Sequence, residues 1–498
     1  MRDSIIRFFN QHPDRMRICT SFVQTARTQF FMGLTFCFYL VWTLLCCVGP
    51  ELAVPEGSPL AQVGSVPSWL GPLFCIVVTS GVVAAYYRRT RRIPESSQRL
   101  VVLAGALVAT TFFHVLWSLD TRAENWLPYV LASLFFGGAG TFLRIEMNRL
   151  LGWVGTQQTI YLGIIGMFLS TLVFALLARL PGPCLYAATF LSGVLAIVFL
   201  WLSIRDISRS RYYRRNTEIK LHFPLKFVCT SVVQGCAVGI MYLGVSLAGM
   251  GAVGDVRHLA ANVSAAVLLF ACIMFMRLDF NRLVYKVGFP VLALGFVLLT
   301  FLQDNVAIGF SVILLGFCYL DLVLWSLGSC LIKSMGLPAP WIATCLGAAL
   351  YSGMLIGSLM VISMKAVAFP PGILYGWGSL FACFLLMTAL FLSNSNNLKY
   401  GWGTVRPGDE GLVTGDLDTV VQFLAKEHSL TNREAEILLL LAKGKTRRAM
   451  CEELCVSADT IKTHVKNVYR KLSVHSQQQT IDYIDFVKEK FEAGSETS

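Results

Sequence analysis

The chain alternates long apolar stretches with short polar ones. Runs of roughly 20 apolar residues, the length a hydrocarbon core demands, lie near 28–49, 66–87, 100–119, 126–143, 153–178, 183–204, 225–249, 257–276, 283–302, 306–332, 341–363 and 371–393. Lipid offers the backbone no hydrogen-bond partners, so every run is predicted to be a helix, and residues 1–393 to form a twelve-span membrane bundle. The pattern then changes. Residues 394–416 are polar and Gly-rich and read as a flexible linker, able to reach roughly 75 Å extended and about 26 Å as a coil. Residues 417–498 return to shorter apolar blocks at helical spacing, a small soluble helical domain. The expected class is all-α throughout.

Within that tail, "LTNREAEILLLLAKG" places Thr431 and Glu434 in the spacing at which hydroxyl and carboxylate satisfy the free amides of a helix start. Gly444 suits a left-handed stop. "TRRAMCEEL" follows as a second short helix, and Ser457 is placed to cap a third, "DTIKTHVKNVYRKL". Short helix, tight turn and longer helix make a helix-turn-helix. In the third helix Ile461, Val465, Val468 and Leu472 share one side, while Lys462, Thr463, Lys466 and Arg470 occupy the other. One face packs and the other is cationic.

Composition sharpens this division. Of 498 residues 55% are apolar and 14% charged, too few charges to cover several water-facing domains. The net charge of +12 comes largely from arginines beside the spans. The N-terminal segment (Arg2, Arg7, Arg15, Arg17, Arg27), the second connection (Arg88, Arg89, Arg91, Arg92, Arg99) and the central "RDISRSRYYRRNTEIK" are basic, whereas alternate connections hold only Arg122, Arg179, Arg257 and Lys365. Positive loops stay inside, so both termini are expected in the cytoplasm. From Lys443 to Lys471 basic residues again outnumber Glu452, Glu453 and Asp459, the local concentration that phosphate binding requires. The N-terminus lacks a signal-type apolar region, so no cleavage is expected.

Six spans, a basic connection and six more spans resemble the major facilitator superfamily, whose halves enclose a central cavity. The Gly-rich loop motif common after the second span there is missing, since the chain reads "YYRRTRRIPESSQR". The tail resembles the LuxR-type helix-turn-helix domain of bacterial transcription regulators, through Leu430-Thr431, Arg433-Glu434, Gly444, Leu454, Val456-Ser457, Thr460-Ile461-Lys462, His464-Val465 and Lys471-Leu472. That resemblance implies that Lys462, Thr463 and Lys466 face base edges in the major groove of double-stranded DNA. It places Thr446, Thr460, His464, Asn467 and Lys471 near phosphates, with His464 equally readable as a packing residue. It also makes "QQQTIDYIDFVKEKF" a dimerisation helix through Ile481, Ile484 and Val487, so a homodimer is expected. Cys451 replaces the family's usual small Ala, and His475 and Gln477 stand where arginines are common.

Inside the bilayer, Asp321 in "GFCYLDLVLWS" would cost at least about 2.5 kcal/mol if ionised in lipid. A ligand or proton site in a cavity and a bond to a neighbouring helix both explain it. His114 and Gln234 read as helix-helix hydrogen-bonding groups, and "FFGGAGTF" as a close-packing stretch. "RIEMNRL" at 144–150 is echoed by "RLDFNRL" at 277–283. The 15 cysteines include no CxxC, and no metal spacing, cofactor motif or nucleophile-base pair is legible, so neither a cofactor nor enzyme activity is expected. The combined expectation is a regulator in the bacterial inner membrane that senses a small-molecule ligand through its spans and binds promoter DNA. The alternative is a secondary transporter with a regulatory DNA-binding tail.

Overall fold

A computed structural model describes residues 13–46, 52–53, 65–90, 96–119, 126–177, 179–206, 225–247, 256–276, 278–302, 305–333, 337–366, 371–393, 421, 424–425, 427–442, 450–451, 454 and 456–494. The chain folds as two compact units, Met1–Pro407 and Gly408–Ser498. The expected linker at 394–416 lies outside the described residues.

The first unit is helical: α1 (Pro13–Thr28), α2 (Phe30–Cys46), α3 (Leu70–Thr90), α4 (Ser96–Leu119), α5 (Leu127–Val154), α6 (Thr156–Leu177), α7 (Gly182–Asp206), α8 (Leu225–Leu247), α9 (Val256–Ala271), α10 (Phe280–Phe301), α11 (Val306–Lys333), α12 (Ala339–Ala366) and α13 (Pro371–Ser393). Among the described residues nine helices are long and apolar enough to cross a membrane, and the pair α1 and α2, bent by 80°, makes up to ten; the remaining two of the twelve expected spans fall on shorter apolar helices, Ala260–Met276 and Ser379–Ser393. Val101, Leu134, Phe301 and Leu390 lie exposed on the outside of the bundle, where lipid rather than water would cover them. A two-residue antiparallel pairing of Leu52–Ala53 (β1) with Ser65–Val66 (β2), between α2 and α3, is a small departure from the all-α expectation.

Packing repeats with a period of six spans. Helix α2 packs on α6 and α7, and α3 and α4 pack on α5; six spans later α8 packs on α12, α9 and α10 pack on α11, and α10 packs on α13. Between the halves α3 meets α12 and α9 meets α6, the same contact with the halves exchanged. Two six-helix bundles with matching internal arrangements thus face one another. Close approach is enabled by small residues: a Cβ on Gly137 of α5 would lie 2.6 Å from the carbonyl carbon of Cys75 in α3.

One boundary differs from the sequence expectation. Helix α5 does not stop at residue 143 but runs on to Val154, because Ile145, Met147, Leu150 and Leu151 continue its buried face. Gly155, at φ 112°, ends it in a conformation a side chain would strain. Side chains of α11 bond carbonyls on both sides of this break: Ser329 Oγ donates to Leu151 O at 2.6 Å, Ser326 Oγ to Thr156 O at 3.0 Å and Lys333 Nζ to Val154 O at 3.1 Å. The sequence echo resolves into local chemistry. Glu146 pairs with Arg149 at 3.3 Å within α5, and Asp279 pairs with Arg282 at 3.4 Å while also capping the start of α10.

The second unit contains α14 (Asn432–Ala442), α15 (Ala458–Leu472) and α16 (Gln477–Gly494). Of the short helix expected before α15, Met450, Cys451 and Leu454 are described and helical. Ile437, Leu438 and Leu441 of α14, Met450, the stripe of α15, and Ile484 and Val487 of α16 close one apolar core.

Candidate nucleic-acid interface and membrane cavity

Both expected caps are present in the tail. Thr431 N–H donates to Glu434 Oε2 at 2.9 Å and Glu434 N–H to Thr431 Oγ1 at 3.3 Å, which fixes the start of α14. Ser457, with extended backbone, accepts from Thr460 N–H at 3.3 Å and starts α15. That helix ends at Ser473, which adopts φ 56°, a left-handed stop more often taken by Gly. Ile461, Val465, Val468 and Leu472 are buried, at 3% exposure or less. Lys462, Thr463 and Lys466 are exposed on the opposite side, with Thr460 exposed at the helix start. Thr463 Oγ1 donates to the Asp459 carbonyl at 2.9 Å. Among the described residues of this face, Asp459 alone is acidic.

Other expected contacts are placed differently. Lys471 is half-buried, its ammonium 2.7 Å from Glu434 Oε2 and 2.9 Å from the Ser429 carbonyl; it ties α15 to the cap of α14. His464 is half-buried, its Nδ1 without a hydrogen-bond partner among the described residues, Asn467 is half-buried, and Thr446 lies outside the described residues. Ile484 and Val487 are 1% and 8% exposed within the unit's own core, so only Ile481 of the three leans toward the outside. Arg433 reaches across with Nη2 donating to the Leu454 carbonyl at 3.0 Å.

Burial works to raise the carboxyl of Glu434, but bonds from Lys471 and Thr431 outweigh it and hold it below the usual value. A lowered value in the folded state means that this stabilisation is complete above the unfolded value of about 4.3 and is lost as pH falls through the folded one. Hydrogen-exchange protection of α14 and α15, taken relative to the intrinsic rate at each pH, should therefore fall on acidification in the wild type and much less in Glu434→Gln. An equal acid response in the variant would remove Glu434 as its source. Lys471→Met, which strands the carboxylate, should cost about 1–3 kcal/mol.

Within the membrane unit, a cavity with a water-accessible volume of about 180 Å3 opens between α2, α3, α5 and α6 of the first half and α8, α9, α11 and α12 of the second. Its wall is mainly apolar and aromatic, including Tyr39, Trp69, Phe136, Tyr242, Phe317 and Tyr351, with Asn262, Arg144 and Asp321 as polar points. Asp321 Oδ2 accepts from Trp325 Nε1 at 3.2 Å, one turn along the same helix. Arg144 is 4% exposed; its guanidinium lies over the Trp325 ring at 4.7 Å and near the Tyr351 ring at 5.5 Å. Its Nη1 donates to Tyr351 Oη at 3.1 Å. Asp321 lies in the cavity as one of the sites the sequence allows for it, whereas Arg144 follows directly on the apolar run near 126–143 and is not singled out by the sequence pattern. The continuing apolar positions at Ile145, Met147 and Leu150 were the available signal. Gln234 is fully buried and its Nε2 lies 3.4 Å from the Phe317 carbonyl across α8 and α11, while His114 packs near the rings of Trp117 and Tyr186.

Comparison with known proteins supports the division. The luxR family of bacterial regulatory proteins matches residues 428–484. Transcriptional regulatory protein LiaR of Bacillus subtilis is 47% identical over 55 residues, 11% of this chain and 26% of LiaR. The uncharacterized response regulatory protein YgeK of Escherichia coli is 41% identical over 61 residues, 12% of this chain and 42% of YgeK. The chain thus spans less than half the length of either relative. A bacterial homologue of the iron transporter ferroportin, crystallised outward-facing with soaked iron, superposes with TM-score 0.50 at 12% identity, covering 74% of this chain and 99% of that one. At such identity the likeness concerns the fold alone. Residues 428–484 are thus similar to the luxR family of bacterial regulatory proteins, and the helical membrane unit that precedes them shares its fold with the bacterial ferroportin homologue.

Proposed function

We propose that the chain is a membrane-bound one-component regulator of transcription in the bacterial inner membrane, with both termini cytoplasmic. The observation that carries this reading is α15: a capped helix, buried on one side, with Lys462, Thr463 and Lys466 exposed together on the other. Such a face suits base edges in a major groove. A small molecule entering the membrane cavity would favour one arrangement of the two bundles, and can do so only by binding the two arrangements with different affinity. Promoter occupancy by the tail would follow that shift. Residues 394–416 act as the tether between 1–393 and 417–498.

Comparing transcripts of a deletion strain, its parent and a strain carrying Lys462→Ala and Lys466→Ala tests this. Equal transcripts in the parent and the double variant, with both proteins present in the membrane, would exclude gene regulation through α15. Pairing of two tails is proposed through Ile481, the outward-leaning residue of α16. Ile481→Asp should abolish dimers seen by cross-linking and leave the fold intact, whereas Ile484→Asp should unfold the tail by placing a charge in its core, at a cost above about 3 kcal/mol. Cross-linking unchanged by Ile481→Asp would exclude that surface.

The transporter-type fold and the cavity favour a second reading, a secondary transporter with a regulatory tail. Counterflow of a solute by the purified chain in proteoliposomes would support it; saturable binding without flux supports the sensor.

A further inference from the structure

The cavity holds a cation two of whose donors find no acceptor among the described residues. Arg144 Nε and Nη2 are buried and without a hydrogen-bond partner among the described residues, while Nη1 donates to Tyr351. These two nitrogens form one edge of the guanidinium, the edge that grips a carboxylate through two parallel N–H···O bonds. The guanidinium lies 4.7 Å from the centre of the Trp325 ring and 5.5 Å from that of Tyr351, and with the bond to Tyr351 Oη these neighbours restrict its orientation. Leaving such charged donors unmatched in a buried site is unfavourable, which favours any molecule that supplies the missing acceptors.

Asp321 does not supply them. It lines the same cavity, yet no ion pair within 4.0 Å joins it to Arg144 among the described residues, and its Oδ2 is turned to Trp325. Its presence instead limits the charge an occupant can carry. With one arginine and one acid in a mainly apolar wall, a dianion such as a phosphate monoester would carry a second charge that Arg144 does not compensate beside Asp321, whereas one carboxylate on an apolar body matches the fork and the wall together.

We propose that the membrane cavity is a site for an organic monocarboxylate, with the Nε and Nη2 edge of Arg144 as its anchor and the aromatic wall as the seat of its apolar body. This names the chemical class of the molecule invoked above and rests on the reading that the membrane unit takes a small ligand. Arg144 belongs to the "RIEMNRL" stretch, whose first residue thereby gains a role distinct from the Glu146–Arg149 pairing behind it.

The test uses the full chain in nanodiscs, with thermal unfolding of the membrane unit as the readout. Millimolar phenylacetate, its neutral isostere phenylacetamide, the cation phenethylamine and the fatty acid laurate are compared. Phenylacetate should raise the midpoint saturably while phenylacetamide and phenethylamine do not. Arg144→Gln should abolish the effect. Arg144→Lys, which keeps the charge and loses the fork, should weaken binding at least tenfold. A response to laurate but not phenylacetate would keep the carboxylate anchor and identify the source as a lipid chain. The amide binding as well as the acid, the amine binding in its place, or no acid binding at all would overturn the assignment; this comparison needs only wild-type protein, so a misfolded variant does not remove the test. Saturable binding of the amide or amine would sink the carboxylate anchor while leaving the sensor reading, which the transcript comparison tests separately.

Discussion

Replacing Lys462 and Lys466 together by Ala should lower the affinity of the solubilised full chain for its promoter duplex by on the order of 100-fold. Both side chains are exposed, and neither joins the core of the tail, so the loss should come without unfolding. Two modes of action are separable by salt. A lysine that only neutralises a phosphate contributes about 0.9 to the slope of log affinity against log salt, so loss of two such contacts would flatten the slope by about 1.8. Lysines that read base edges should also relax discrimination between the promoter and a scrambled duplex. Fluorescence anisotropy with both duplexes across a salt series measures both effects. Unchanged affinity would show that α15 is a solvated face and nothing more.

The second large effect concerns neighbouring glycines of α5. A Cβ on Gly137 would meet the Cys75 backbone at 2.6 Å and 2.7 Å, whereas one on Gly138 meets nothing within 4 Å. Backbone cannot rotate away as a side chain can, so Gly137→Val should force α3 and α5 apart and cost at least about 3 kcal/mol. That contact also positions the α5 segment carrying Arg144 against α3, and ligand binding should weaken with it. Gly138→Ala should be neutral or stabilise slightly, because Ala is the better helix former by roughly 1 kcal/mol. Thermal unfolding of both variants in nanodiscs checks the contrast; equal behaviour of the two would mean that α3 and α5 do not pack as described.

The residues differ in how visible their roles were beforehand. Ile461, Val465, Val468 and Leu472 were legible because a helix repeats its face every three to four residues, and the caps at Thr431 and Ser457 because their partners lie three residues away. Lys471 looked like a phosphate contact because its partner, Glu434, is 37 positions distant and only the folded core brings them together. Ile484 and Val487 posed the same difficulty, since an apolar stripe does not reveal whether it faces its own chain or a second copy. Arg144 was hidden by the assumption that a charge ends a span. A buried arginine inside a helix becomes readable only once α11 and α12 are seen to wrap it with Trp325 and Tyr351. The pairing of the two halves was likewise visible as a count of spans and a basic central connection, but not as the repeated contacts of α3 with α12 and α9 with α6.

The union of membrane unit and DNA reader in one chain is tested most directly in cells. Full-length protein is cross-linked in place, recovered from the membrane fraction, and the attached DNA sequenced. Discrete promoter sites should be enriched with the wild type and lost with Lys462→Ala and Lys466→Ala at equal membrane abundance. Enrichment no greater than that of an unrelated membrane protein would contradict a role in reading DNA.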